Sequence, residues 1–95
     1  MPDKNFEMGQ VVMTKTIGHD TDKNKIFSRE VMSAFDRYRH SDWGDLSDQD
    51  KMANQLALMS GEDRLLAAYN TSMGRIFIVT EWDRSYTTIM YDSDY

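Results

Sequence analysis

Apolar positions along this chain change period several times, and each change predicts an element. From Val11 to Ile17 the run VVMTKTI alternates and is rich in β-branched residues, which predicts a strand. GHDTDKN (18–24) reads as a polar turn. Beyond it Phe27, Val31, Ala34, Phe35 and Tyr38 recur at steps of three and four, the spacing of one helix face from Ile26 to about Arg39, with Asp22 or Asn24 as its N-cap. A second helix starts at Ser47, where Ser47-Asp48-Gln49-Asp50 resembles a capping box and the two acids lie in the first turn. Met52, Leu56 and Met59 form its apolar stripe, Ala53 and Ala57 allow close approach, and Gly61 ends it. Three strands follow: RLLAAY (64–69), RIFIVTEW (75–82) and YTTIMY (86–91), separated by the turns NTSMG and Asp83-Arg84-Ser85. The expected order is β-α-α-β-β-β. Short turns between consecutive strands favour an antiparallel sheet with both helices on one face, a two-layer α+β domain. Its core would unite Phe27, Val31, Phe35, Met52, Leu56, Ile76 and Ile78. Residues 1–9 are expected to be a flexible N-terminus and 10–95 the single domain.

Length and composition agree with one small domain: 95 residues, 40% of them hydrophobic. Cysteine is absent, so neither a disulfide framework nor a thiolate metal site is available. MPDKNFEMGQ carries no signal-peptide pattern, and no apolar run approaches a membrane span, so a cytoplasmic protein without membrane association is expected. The net charge of −5 is unevenly placed: residues 1–40 hold seven basic and six acidic side chains, residues 41–95 four and ten. Direct nucleic-acid binding needs a basic patch, and the one candidate is Lys23, Lys25, Arg29, Arg37 and Arg39 along the first helix. The plainer reading of those residues is a solvated helix face.

Catalytic patterns are scarce. His19 and His40 lie too far apart in sequence for a two-histidine metal helix, and neither a P-loop nor a dinucleotide glycine pattern occurs. In HSDWGDLSDQDK (40–51) the acids miss the alternate positions of a calcium loop and no Glu closes it. Glu81 and Asp83 resemble solvated carboxylates at a strand end more than an acid–base pair. No catalytic residue, metal or cofactor is therefore expected. DWGD reads as the interhelical turn, with Gly44 supplying the backbone freedom and Trp43 covering the core edge. Trp82, Tyr86, Tyr91 and Tyr95 gather near the C-terminus, either as cross-strand pairs or as an aromatic, acidic sheet face for a partner. The candidate partner-binding residues are Asp42, Trp43, Asp45, Trp82, Arg84, Asp92 and Asp94. Arg84 is expected to pair with Asp45 or Asp83 and so anchor the DWGD turn to the last hairpin.

The segments Asp42-Trp43-Gly44-Asp45-Leu46, Asp50 to Asn54, Arg64 to Tyr69 and Thr80 to Met90 together resemble a family of small, uncharacterised bacterial proteins labelled plasmid-related, borne on mobile genetic elements. The resemblance spans roughly residues 9–91. It departs at Trp82, where Ala is usual, and at Tyr91-Asp92, where Phe-Pro is usual. It implies a setting in conjugation, host takeover or counter-defence and no particular chemistry. Combined with the acidic second half, it leads to the expectation of a non-enzymatic protein-binding module, an acidic inhibitor or regulator of a host nucleic-acid-handling or defence protein. The partner would be host- or element-encoded and carry a basic surface. Two alternatives stay open: a small ligand-binding domain or enzyme built around Arg84 and its acids, and a DNA-binding accessory protein using the basic helix 23–39.

Overall fold

The structure is a computed structural model that describes residues 6–95. Its elements run β1 (Gln10–Met13), α1 (Lys15–Lys23), α2 (Lys25–Arg39), α3 (Asp48–Ser60), β2 (Leu65–Thr71), β3 (Gly74–Thr80) and β4 (Tyr86–Tyr91), closed by a 3₁₀ turn at Asp92–Asp94. The α+β class and the three consecutive C-terminal strands agree with the sequence reading. Two features correct it. Among the described residues there are three α-helices, and the sheet is mixed: in the order β1-β4-β3-β2, β1 runs parallel to β4 while the other pairs are antiparallel.

The extra helix starts from a local signal. The expected strand 11–17 stops at Met13 because Thr14 caps a helix, its hydroxyl accepting from the Ile17 N–H at 3.4 Å. One helical turn then carries Ile17 to complete burial, which a continuing strand would not. GHDTDKN is the polar face and end of α1 rather than a turn. Asn24 both ends α1 and caps α2, its side chain accepting from Phe27 N–H at 3.0 Å. The long path through three helices and two strands gives β1 the crossover that parallel pairing with β4 requires.

The core lies between the helices and one sheet face. Ile17, Phe27, Val31, Ala34 and Tyr38 meet Leu65, Ala67, Tyr69, Ile76, Ile78 and Ile89, the strand residues falling at alternate positions as the pleat dictates. Phe27 stacks on Tyr91 with ring centroids 5.8 Å apart. Phe35, expected at the centre, is only half-buried. The expected core members Met52 and Leu56 are a larger correction, since they are 62% and 58% exposed. Instead α3 turns Asn54 and Ala57 inward. The N-terminal segment expected to be flexible is packed from Phe6 on. The Phe6 ring meets Tyr38 edge-on at 5.2 Å and lies 5.9 Å from Trp43, and the Met8 carbonyl accepts from Thr87. Residues 1–5 of that expected flexible segment lie outside the described residues.

Candidate functional site

The DWGD loop is built from the end of α2 outward. Asp42 receives a two-pronged contact from the Arg37 guanidinium, at 2.8 and 3.2 Å, and accepts from Gly44 N–H at 3.1 Å. That guanidinium holds the Asp42 carboxyl below the ordinary carboxylate range and is itself raised by the pairing. Arg37 also lies over the Tyr69 ring, whose hydroxyl donates to the Asp42 carbonyl at 2.6 Å. Trp43 is buried against Tyr38, ring centroids 5.6 Å apart, and so does cover the core edge. Gly44 runs as a single bridge beside Ala68 at φ 75°; a Cβ there would fall 2.1 Å from the Ala68 carbonyl oxygen. No side chain but glycine fits.

This loop closes the free edge of β2. Asp45 N–H donates to the Ala68 carbonyl at 2.7 Å, Ala68 N–H to the Trp43 carbonyl at 3.4 Å, and Asn70 N–H to the Asp45 carboxylate at 2.9 Å. Farther along the same edge, Asn54 of α3 faces Leu66. Its amide donates to the Leu66 carbonyl at 2.7 Å and its amide oxygen accepts from Leu66 N–H at 3.1 Å. One side-chain amide thus replaces a neighbouring strand's backbone, and an edge open to unwanted pairing is covered. Asp42, Trp43, Asp45 and Asn54 therefore serve the sheet edge. Asp42 and Asp45 keep solvent exposure, but their carboxylates are already engaged within the chain.

Arg84 does not pair with Asp45 or Asp83. It sits at φ 62°, and its guanidinium donates to backbone carbonyls: Asp63 at 2.6 Å, Trp82 at 3.1 Å, Glu81 at 3.2 Å and, at the C-terminal end of α3, Ala57 at 3.1 Å. The reason is geometric. A fork of fixed N–H donors can share several carbonyls that converge at a helix end and a tight turn, including those of Ala57 and Glu81 that already accept a backbone N–H. Asp83 instead accepts from Ser85 N–H at 3.0 Å within that turn, and this hydrogen bonding lowers its pKa. Asp92 and Asp94 lie exposed in the terminal 3₁₀ turn. The C-terminal aromatics disperse: Tyr91 stacks in the core layer, Tyr95 meets Phe77 on the opposite sheet face at 5.6 Å, and Trp82 projects from the β3–β4 turn at 63% exposure. The seven candidate residues therefore do not form one surface.

A buried hydroxyl chain was not anticipated. Tyr38 and Thr80 oxygens lie 2.7 Å apart, Thr80 and Thr87 2.7 Å apart, and Thr87 donates to the Met8 carbonyl. Since Thr87 donates outward, Thr80 donates to Thr87 and Tyr38 to Thr80. Burial raises the Tyr38 hydroxyl well above its usual pKa, so it stays protonated as donor. Every member is satisfied, and the chain ties α2, the last hairpin and the N-terminal segment together.

What remains outward is the solvent face of α3. Met52, Leu56 and Met59, at i, i+4 and i+7, are 62%, 58% and 83% exposed. Beside them, Ala53 and Trp82 line a shallow cleft of about 520 Å³ with Glu62, Asp63, Glu81 and Arg64. Ala53 is the i−3 neighbour of Leu56 on the helix surface, so the cleft begins one helix neighbour away from the stripe, whose own three residues do not line it. The periodicity that marked the stripe was read correctly; its direction was not, because Asn54 and Ala57 decide which side of α3 meets the sheet. The buried asparagine was the available signal, one polar residue in line with small ones. Among the described residues, no group of three or more His, Asp or Glu is placed to hold a metal ion, and no helix is long and apolar enough to cross a membrane. Comparison with family models, curated proteins and solved structures returns no match.

Proposed function

We propose that this chain is a non-enzymatic protein-binding module and that its contact surface is the outer face of α3 with Trp82. The observation that carries this reading is the exposure of three large apolar side chains on one face of a helix whose opposite face is already packed. Single exposed apolar residues are ordinary, but three on one helix face, flanking a cleft that an exposed tryptophan lines, suit an interaction surface. Methionines suit such a face because their flexible thioethers adapt to a partner's shape. The earlier candidate set is thereby narrowed: Trp82 stays, while Asp42, Trp43, Asp45 and Arg84 support the scaffold that presents it. The setting implied by the plasmid-related resemblance makes the partner a host- or element-encoded cytoplasmic protein, with this chain its inhibitor or regulator.

The alternatives have less support. An enzyme centred on Arg84 loses its centre, because that guanidinium is held by backbone carbonyls. The basic helix offers less charge than its sequence suggests, since Arg37 is paired with Asp42 and Arg39 lies 3.7 Å from Asp36. A photo-crosslinking residue at position 56, expressed in the native cells, tests the proposal. A discrete protein adduct is expected there and not from position 29 on α2. Equal labelling from both positions, or none from 56, would refute it.

A further inference from the structure

We infer that the surface formed by α3 and Trp82 docks a basic amphipathic helix of the partner protein. The inference rests on the protein-binding reading and adds the chemistry of the occupant. Anchors at i, i+4 and i+7 are the pattern by which one helix grips the apolar face of another. Met52, Leu56 and Met59 supply them on a helix of 13 residues.

Charge selects the occupant. From Asp48 to Asp63 the chain carries Asp48, Asp50, Glu62 and Asp63 against Lys51 alone. The adjoining cleft sets Glu62, Asp63 and Glu81 around Trp82; of the guanidiniums beside it, Arg64 lies over the Tyr95 ring at 5.6 Å and Arg84 is held by the Asp63, Glu81 and Trp82 carbonyls. A cationic side chain entering beside Trp82 would meet carboxylates and an exposed aromatic face together, which favours Lys or Arg. The same charges disfavour a second copy of this chain. Antiparallel pairing of two α3 helices would set Asp48 of one against Glu62 and Asp63 of the other, and parallel pairing would oppose each acid to itself. Like charges across an interface act as repulsive elements against that partner. A helix with an apolar stripe flanked by Lys and Arg satisfies both the stripe and its rim.

Synthetic helical peptides of about 16 residues, long enough to hold a helix when docked, test this with the full chain. One carries Leu at helical spacing with Lys and Arg flanks, a second has Glu at every basic position, and a third is a scramble of the first. Backbone amide shifts locate binding, and titration measures it. The basic peptide is expected to perturb residues 52–63 and 81–83. Its affinity should fall about tenfold or more with Leu56→Gln or Met59→Gln, and should weaken as salt rises from about 0.1 to 0.5 M. The acidic and scrambled peptides should bind far less. Both variants should keep the parent's melting temperature, since the side chains are exposed.

Equal binding of the acidic peptide, shifts confined to α2, or no binding of any peptide would overturn the inference. A dimer seen by sedimentation and dispersed by Leu56→Gln would overturn it in favour of a second copy. A crosslinked protein at position 56 combined with failure of the basic peptide removes only the basic-helix inference. Absence of any adduct at 56 removes the binding reading and this one with it.

Discussion

Asn54 shows how one side chain settles a position that periodicity left open. Its amide meets both backbone groups of Leu66, so truncation strands a partly buried donor and a partly buried acceptor together. Asn54→Ala is expected to cost about 2–4 kcal/mol in urea unfolding, a sum of two unsatisfied groups. A loss under about 1 kcal/mol would mean that water replaces the amide at that edge. Asp42 makes a pH-dependent contribution of definite sign. Arg37 lowers its pKa in the folded chain from 3.8, so the folded state binds fewer protons there than the unfolded state. The stabilisation is present above the ordinary carboxylate pKa and is lost as pH falls through the lowered folded value. Because both side chains are about half exposed, at 45% and 50%, it is modest, below about 1 kcal/mol. Unfolding of parent and Asp42→Asn should therefore differ more near about pH 7 than near pH 3, where ordinary carboxyls are protonated. A difference independent of pH would show that the Asp42 charge, which both Arg37 and the Gly44 N–H favour, is not what stabilises the loop.

At the scale of an element, α3 is amphipathic in an unusual sense: Asn54, Ala57 and the partly buried Leu58 face the core, while Met52, Leu56 and Met59 face outward. Both ends are capped as the sequence suggested, by Ser47 accepting from Asp50 N–H at 3.1 Å and by Gly61 at φ 72°. Capping fixes where a helix starts and stops but not its rotation about its own axis. The rotation follows from Asn54 on Leu66, from Ala57, whose small side chain lets the helix approach closely, and from Arg84 on the Ala57 carbonyl. Two substitutions separate the faces. Leu56→Gln should change stability by no more than about 0.5 kcal/mol, as surface substitutions do. Ala57→Leu, one residue away, should cost about 1–3 kcal/mol by overpacking. Thermal or urea melts of the pair decide it, and a reversed order would place Leu56 in the core.

The whole molecule is held by contacts between its two ends. β1 lies beside β4, Phe6 covers Tyr38 and Trp43, and the hydroxyl chain from Tyr38 ends on the Met8 carbonyl. The N-terminal segment is therefore part of the packed unit from Phe6 onward. Phe6→Ala should uncover the Trp43 indole, shift its emission to longer wavelength and cost about 1–3 kcal/mol. That is below the 3–5 kcal/mol of a fully buried Phe, because Phe6 is half-buried. Trp82, already exposed, gives a constant background in that measurement. An unchanged spectrum would show that Phe6 does not shield Trp43 in solution.

The sequence by itself determined the elements whose signals are local. The face of α2 from Phe27 to Tyr38, a cap at Asp22 or Asn24, the cap at Ser47, the stop at Gly61 and the three C-terminal strands with their turns all depend on residues within a few positions of one another. Trp43 as cover and Gly44 as turn were legible for the same reason. What failed was long-range. Thr14 to Lys23 carries β-branched residues as well as a helix cap, and burial of Ile17 among distant residues decides for helix. Parallel pairing of β1 with β4 joins residues more than seventy positions apart, with no local signature. The acids of DWGD looked free for a partner, but Arg37 engages Asp42 and the edge of β2 engages Asp45, an unpaired strand edge that exists only once the sheet is assembled. For the same reason Met52, Leu56 and Met59 were assigned to the core: period shows that a helix has an apolar side, while only its neighbours in space decide whether that side meets the protein or the solvent.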